Sequence, residues 1–276
     1  DLVIPLEHDM ISTPDQDNQS ITIFVKVEIQ VNFDSTAIIR ENDVIFTDNE
    51  ADGPSSWFPC VDTRAQRSYY TLIITFSDKL ICIGPGESTI IAADQKTHMN
   101  SIQYKVTFPI IPAALGFALG PFNTETFKND LIECKIYYLS DKETFLNTVK
   151  AIPEIFQDVM THLDYEEPLF PVMSLVSLPF LSKIRMFPGA FFFPPSIMLP
   201  RGNVNVIPVV IPKIIEAVFA QFVYYLFPIN FAKREWLQTG FIAYFADIIA
   251  NKYFTTCFQP DKRWSDLNTL FVEDIH

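Results

Sequence analysis

Four histidines in the chain, His8, His98, His162 and His276, are scattered, and no two stand at i, i+4. A histidine pair on one helix face is the usual beginning of a protein zinc site, so the sequence gives a histidine-based metal centre no support. The same scatter gives a Ser/His/Asp triad none. Cysteine is equally sparse: Cys60, Cys82, Cys134 and Cys257 show no CxxC spacing and no neighbouring histidine. This excludes a Cys/His zinc module and a dense disulfide framework, and it predicts buried thiols in a reducing compartment. An excess of positive charge is also missing. The formal net charge is −13, which argues against a surface that grips phosphates over its whole extent.

No apolar run is long enough and clean enough to read as a membrane span. The longest, residues 204–231, is interrupted by Pro208, Pro212 and Pro228 and carries Lys213 and Glu216. A span needs about 20 predominantly apolar residues, so this run is expected to be a helix buried in a large core, with no membrane partner. No basic n-region opens the chain, and Glu7, Asp9, Asp15 and Asp17 stand where a signal peptide would be apolar. The chain begins at Asp1 rather than Met, which reads as a fragment. Internal repeats and low-complexity tracts are missing too.

What is present is core-forming material. Of 276 residues, 49% are hydrophobic and 14% aromatic, enough for one large or two ordinary domains and against long disorder. Residues 21–33 alternate apolar and polar and predict a strand. Glu41, Asp43, Asp48, Glu50 and Asp52, ending in Gly53-Pro54, predict a solvated acidic loop. Strand-like runs follow at 69–76, 80–83 with 90–92, and 102–109, with Gly84-Pro85-Gly86 as a turn. Residues 1–128 are therefore expected to be an all-β domain.

The period then changes. Residues 141–162 carry apolar residues at helical spacing, capped by Ser140 or Asp141, with Pro153 as a kink. Residues 169–199 are short apolar runs broken by proline and predict strands of a small sheet. Two helices close the pattern. The first has Pro212 in its opening turn and ends at Pro228; the second runs from about Lys233 to Tyr253. Residues 129–276 are thus expected to form a second, α/β domain. Within 183–263 nine bases face four acids, the one stretch where charge reverses.

Three segments, in order, resemble one family. Ser56–Asp62 reads SWFPCVD, Ala118–Phe122 reads ALGPF, and Trp236–Tyr244 reads WLQTGFIAY. The last is similar to the segment that carries the third zinc ligand in the aminopeptidase-N-like zinc peptidases. In that family an HExxH helix precedes the third ligand by eighteen residues. The same spacing here puts the zinc positions at Glu216, Ala220 and Thr239, and the general-base position at Ala217. A catalytic zinc takes about three protein ligands and an open water position, and one carboxylate cannot supply them. The family's amine-binding GAMEN segment falls at Gly189–Phe193, with Phe192 in place of its glutamate. Phe191–Phe193 are expected to fill the old substrate cleft.

The form WFPCVD, with Thr63-Arg64 where the peptidases have Glu-Pro, resembles the inactive branch found as TBP-associated factor 2 subunits of the general transcription factor TFIID; Gln221 also fits that branch's degenerate helix. The resemblance implies an aminopeptidase-N-like all-β domain followed by the first part of a thermolysin-like α/β domain. It implies no catalysis, no cofactor and no small-molecule substrate. It implies a nuclear scaffold that joins other TBP-associated factors and TBP in the RNA polymerase II preinitiation complex. It further implies contact with core-promoter DNA, for which Lys183, Arg185, Arg201, Lys233 and Arg234 are the candidate phosphate contacts. The competing expectation is an inactive relative that binds peptides or partner proteins outside transcription. Residue by residue, Glu216 is expected to be a helix-surface or partner-paired acid near a helix N-terminus, Trp57 and Phe58 are expected in core packing, and Asp62 is expected to close a turn.

Overall fold

The computed structural model describes residues 37–49, 53–60, 67–94, 96–200, 207–226 and 235–253. The predicted strand at 21–33 and the turn acid Asp62 lie outside them. The architecture is mixed: several β-sheets and a few helices.

The acidic stretch that predicted a loop contains a hairpin. β1 (Ile38–Glu41) and β2 (Val44–Thr47) pair antiparallel, with Glu41 opposite Val44 and Asn42 at φ 53 in the two-residue turn. Asparagine tolerates the left-handed region, and Val44 and Phe46 supply buried apolar anchors between the acids. β1 and β2 continue through β7 (Ala118–Gly120) to β4 (Ile81–Ile83) in a four-stranded antiparallel sheet. β3 (Thr71–Ser77), β6 (Met99–Lys105) and β5 (Glu87–Asp94) form a separate three-stranded sheet. The Gly84–Gly86 turn joins β4 to β5 as predicted. Gly86 has φ +73, and a Cβ there would lie 2.3 Å from the Lys105 carbonyl oxygen, so only glycine fits.

The third sheet is mixed and has the order β11-β12-β10-β9-β8. Its strands are β8 (Asn123–Lys128), β9 (Glu133–Tyr138), β10 (Val172–Ser177), β11 (Arg185–Phe187) and β12 (Ala190–Phe193). β9, β10 and β12 run parallel, and β8 and β11 are antiparallel edges. The expected division at 128/129 falls inside the β8–β9 hairpin. The parallel β9–β10 pair needs a long crossover, which α1 (Lys142–Val149) and α2 (Ile152–His162) provide. One helix was expected over 141–162. Two form instead, because the chain breaks at Lys150-Ala151 and Pro153 takes the first turn of α2, where its missing N–H costs nothing. Asp141 caps α1 as predicted, accepting from the Thr144 N–H at 3.1 Å.

α3 (Ile207–Leu226) and α4 (Glu235–Tyr253) pack on the same sheet. α3 begins earlier than expected. Pro208 occupies its first turn and Pro212 sits inside it, where the ring withholds one backbone donor. α3 is long and apolar enough to cross a membrane by length and composition. About 67% of that stretch, however, is buried within the protein. Proline 228 lies outside the described residues.

Two cores flank the mixed sheet. One face, with Ile136, Met173, Leu175, Phe191 and Phe193, packs on the four helices. The other, with Val176, Phe187 and Phe192, packs on Val44, Phe46, Ile83 and Ala118 of the four-stranded sheet. Two-sided burial explains why β12 reads as an unbroken apolar run. Trp57 is buried as expected. Its Nε1 donates to Asn49 Oδ1 at 2.9 Å, and Asn49 Nδ2 donates to the Leu115 carbonyl at 2.7 Å.

Among the described residues no disulfide joins Cys60, Cys82 or Cys134. Burial pushes the thiols of Cys82 and Cys134 up from 9.0 to about 12. The folded chain therefore keeps two protons that the unfolded chain releases above pH 9. Their contribution to stability is complete below pH 9 and is lost as pH rises from 9 to about 12. Titration of native protein with a thiol-reactive chromophore should label Cys60 first and leave Cys82 and Cys134 unlabelled until denaturant is added.

Candidate functional site

α3 carries the resemblance's frame, and the structure shows what stands in each position. Ala217 and Ala220 are buried, contributing methyl groups to the helix-side core. Glu216 is half-buried in the middle of α3, not near its N-terminus. The macrodipole fades within the first turn of a helix, so the dipole account of Glu216 does not hold. Thr239 is exposed on α4. The two helices meet through aromatic rings: Phe219 stacks on Phe245 at 5.4 Å and 9°, and Phe241 lies 4.5 Å from Phe245. Among the described residues no three His, Cys, Asp or Glu side chains converge. Within the frame only Glu216 offers a metal ligand.

One helical turn on, Gln221 is fully buried and bonded to another segment of the resemblance. Its Nε2 donates to the carbonyls of Phe187 at 3.0 Å and Ala190 at 3.4 Å. These residues face each other across the β11–β12 turn, Pro188-Gly189, with Gly189 at φ +69. The remaining carbonyls of the turn are also used. Gly86 N–H donates to Pro188 at 2.7 Å, and Ser174 N–H donates to Gly189 at 2.8 Å. The side-chain Oε1 of Gln221 has no partner and is the one such buried atom among the described residues. The turn is thus held by α3, β10 and the β4–β5 turn together. Replacing Gln221 by leucine should lower the unfolding free energy by about 1–3 kcal/mol, because it removes two buried hydrogen bonds worth about 0.5–1.5 kcal/mol each. A urea midpoint unchanged from the parent would contradict that.

Phe192, which the resemblance aligns with the peptidases' amine-binding glutamate, is fully buried, and its ring lies 4.9 Å from that of Phe187. Phe191 and Phe193 point to the opposite face, where Phe193 meets Phe145 at 5.7 Å. The three rings are interior strand residues on alternating faces.

Of the five candidate phosphate contacts, Lys183 and Arg185 lie among the described residues. Lys183 is exposed. Arg185 is buried and turned inward. Its Nε and Nη2 donate to the two carboxylate oxygens of Asp48 at 2.9 and 3.2 Å, joining β11 to the end of β2. Asp48, expected to be solvated, is the other half of that pair. Arg201, Lys233 and Arg234 lie outside the described residues. Sequence reading missed a second ionic cluster. Asp158 of α2 accepts from Lys252 Nζ at 2.5 Å and from the Tyr253 hydroxyl at 2.7 Å, fastening the end of α4. Burial, then the bond to Asp158, raises the Tyr253 hydroxyl well above the usual phenol range. The i, i+94 separation leaves no local signal for such a pair.

No known protein family matches the chain, and no curated protein matches its sequence.

Proposed function

We propose that the chain is a non-catalytic scaffold of the TFIID subunit 2 type, built on an aminopeptidase-N-like all-β domain and the first part of a thermolysin-like domain. It assembles with TBP and other TBP-associated factors in the preinitiation complex and works in the nucleus. One observation carries the non-catalytic part of this reading. The position that would hold a peptide's amine and the helix that would hold zinc are both built into the core, and one side chain, Gln221, ties them together. A buried phenyl ring at Phe192 and buried methyls at Ala217 and Ala220 give the interior apolar contacts where an enzyme keeps polar groups. The motifs WFPCVD and WLQTGFIAY support the family, and WFPCVD supports the transcription branch. Promoter contact, if made by this part of the protein, falls to Lys183 and to cations outside the described residues, since Arg185 is committed to Asp48. Such contacts fix position on the duplex without reading bases.

The test is affinity purification of the tagged full-length protein from nuclear extract, with mass spectrometry of its companions. The reading requires TBP and several TBP-associated factors. Intact, soluble bait without them overturns it. Saturable peptide binding in that case would favour an inactive relative working outside transcription.

A further inference from the structure

The three-stranded sheet leaves one edge strand wholly in solvent. β5 pairs with β6 on one side and, among the described residues, with no strand on the other. Residues 87–93 are all exposed, Ile90 to 70% and the bulged Ile91 to 50%. Ile90 is not a stray apolar residue. It stands in register with Ile102 of β6, which stands in register with Ile74 of β3. Ile74 and Ile102 pack on the buried Phe76, Cys82 and Tyr104. A row of isoleucines thus leaves the core and ends in water at the edge of the sheet. A free edge of this kind presents unpaired backbone donors and acceptors and is a template for another strand.

We propose that β5 pairs antiparallel with β5 of a second copy of this chain, about a two-fold axis at Ile90. The inference does not rest on the functional reading above. Three observations favour a second copy over an unlike partner. Pairing about Ile90 sets this residue beside its own copy, and the isoleucine row becomes continuous from Ile74 of one chain to Ile74 of the other. The same register sets Glu87 opposite Ala93 and Asp94 opposite Gly86, so no two acids face each other. Charge is the second observation. Residues 71–105 hold Asp78, Glu87 and Asp94 against Lys79, Lys96 and Lys105, a balance of zero in a chain of net charge −13. Two acidic copies can therefore approach through this sheet without local repulsion. Twist is the third. The bulge between Ile90 and Ala92 sharpens the twist of β5 and resists pairing with a regular strand. A copy related by the two-fold axis carries the same bulge and so the same twist.

Sedimentation equilibrium of the full chain over a range of concentrations tests this. The average mass should rise with concentration from that of one chain towards that of two. Added salt should strengthen the association, since screening weakens the repulsion between two acidic copies and takes nothing from an uncharged contact. Ile90→Lys sets like charges opposite each other and should raise the dimer dissociation constant at least ~10-fold. Ile73→Lys adds the same charge to the same sheet, but on β3 at its other edge, and should leave the constant nearly unchanged. Both side chains are more than half exposed, so neither substitution disturbs the core. A one-chain mass at every concentration overturns the proposal, as do equal effects of the two substitutions or an association that weakens with salt. A second measurement needs no variant. Amide exchange in β5 should slow at least ~10-fold from dilute to concentrated protein, with β3 unchanged, since pairing closes the free edge. Exchange in β5 that does not respond to concentration overturns the proposal.

Discussion

Phe192→Glu, which puts a glutamate where the resemblance aligns the peptidases' amine anchor, is expected to unfold the protein at neutral pH rather than confer peptide binding. Phe192 is fully buried between β12 and the four-stranded sheet, among Val44, Phe46, Ile83 and Ala118. A carboxylate there loses its water and gains no partner, at a cost of several kcal/mol. Domain stability is only about 5–15 kcal/mol, so that cost is most of what holds the fold. The pH dependence has a definite sign. The unfolded chain ionises the new glutamate near pH ~4.3, while the folded chain holds it protonated. The penalty is therefore smallest below that pH and grows as pH rises above it. Phe192→Ala separates packing from charge and should cost about 3–5 kcal/mol at any pH in the neutral range. Urea unfolding followed by far-UV circular dichroism at acid and neutral pH checks both. A Phe192→Glu protein as stable as its parent would mean that the side chain reaches solvent, and the cleft would have to be reopened as a binding site.

Arg185→Ala should produce the second large loss, about 3–5 kcal/mol, because it leaves the Asp48 carboxylate buried without its bidentate partner. The two side chains are 10% and 15% exposed, so water cannot fully replace the lost guanidinium. Removing both charges together, as Arg185→Met/Asp48→Leu, should recover much of that loss, since the desolvation cost of each ion disappears with it. The measurement is a double-mutant cycle on the unfolding free energy. Single substitutions that each cost under ~1 kcal/mol would place the pair in the class of surface ion pairs. Arg185 would then be available again as a phosphate contact.

The same pair shows where the sequence stops speaking. Short-range features were legible. The apolar runs of 169–199 became β10, β11 and β12, the Gly84–Gly86 turn stands where it was expected, and the second helix begins within two residues of its predicted start. Features set by distant partners were not. Asp48 and Arg185 are 137 residues apart, and Asp48 among its acidic neighbours reads as solvated charge. β2 was hidden for the same reason, since three apolar residues between acids declare a strand only when Phe46 finds its core. Pro153 and Pro212 misled in opposite senses. Proline signals a first turn and a kink alike, and which one applies depends on where the preceding helix stops. Of the candidate site, the spacing of α3 and α4 could be read from residues alone. The bond from Gln221 to the β11–β12 turn could not, because it needs a turn more than thirty residues away to be placed first.

The central claim is that a peptidase-like frame has been filled with core and holds no catalytic metal. Zinc content of the purified full-length protein after exhaustive dialysis tests it most directly. The account predicts far less than one zinc per chain, unchanged in a Glu216→Gln variant. About one tightly held zinc per chain, lost in Glu216→Gln, would contradict it, because about two further ligands would then have to join Glu216 where the frame offers buried methyl groups and Thr239.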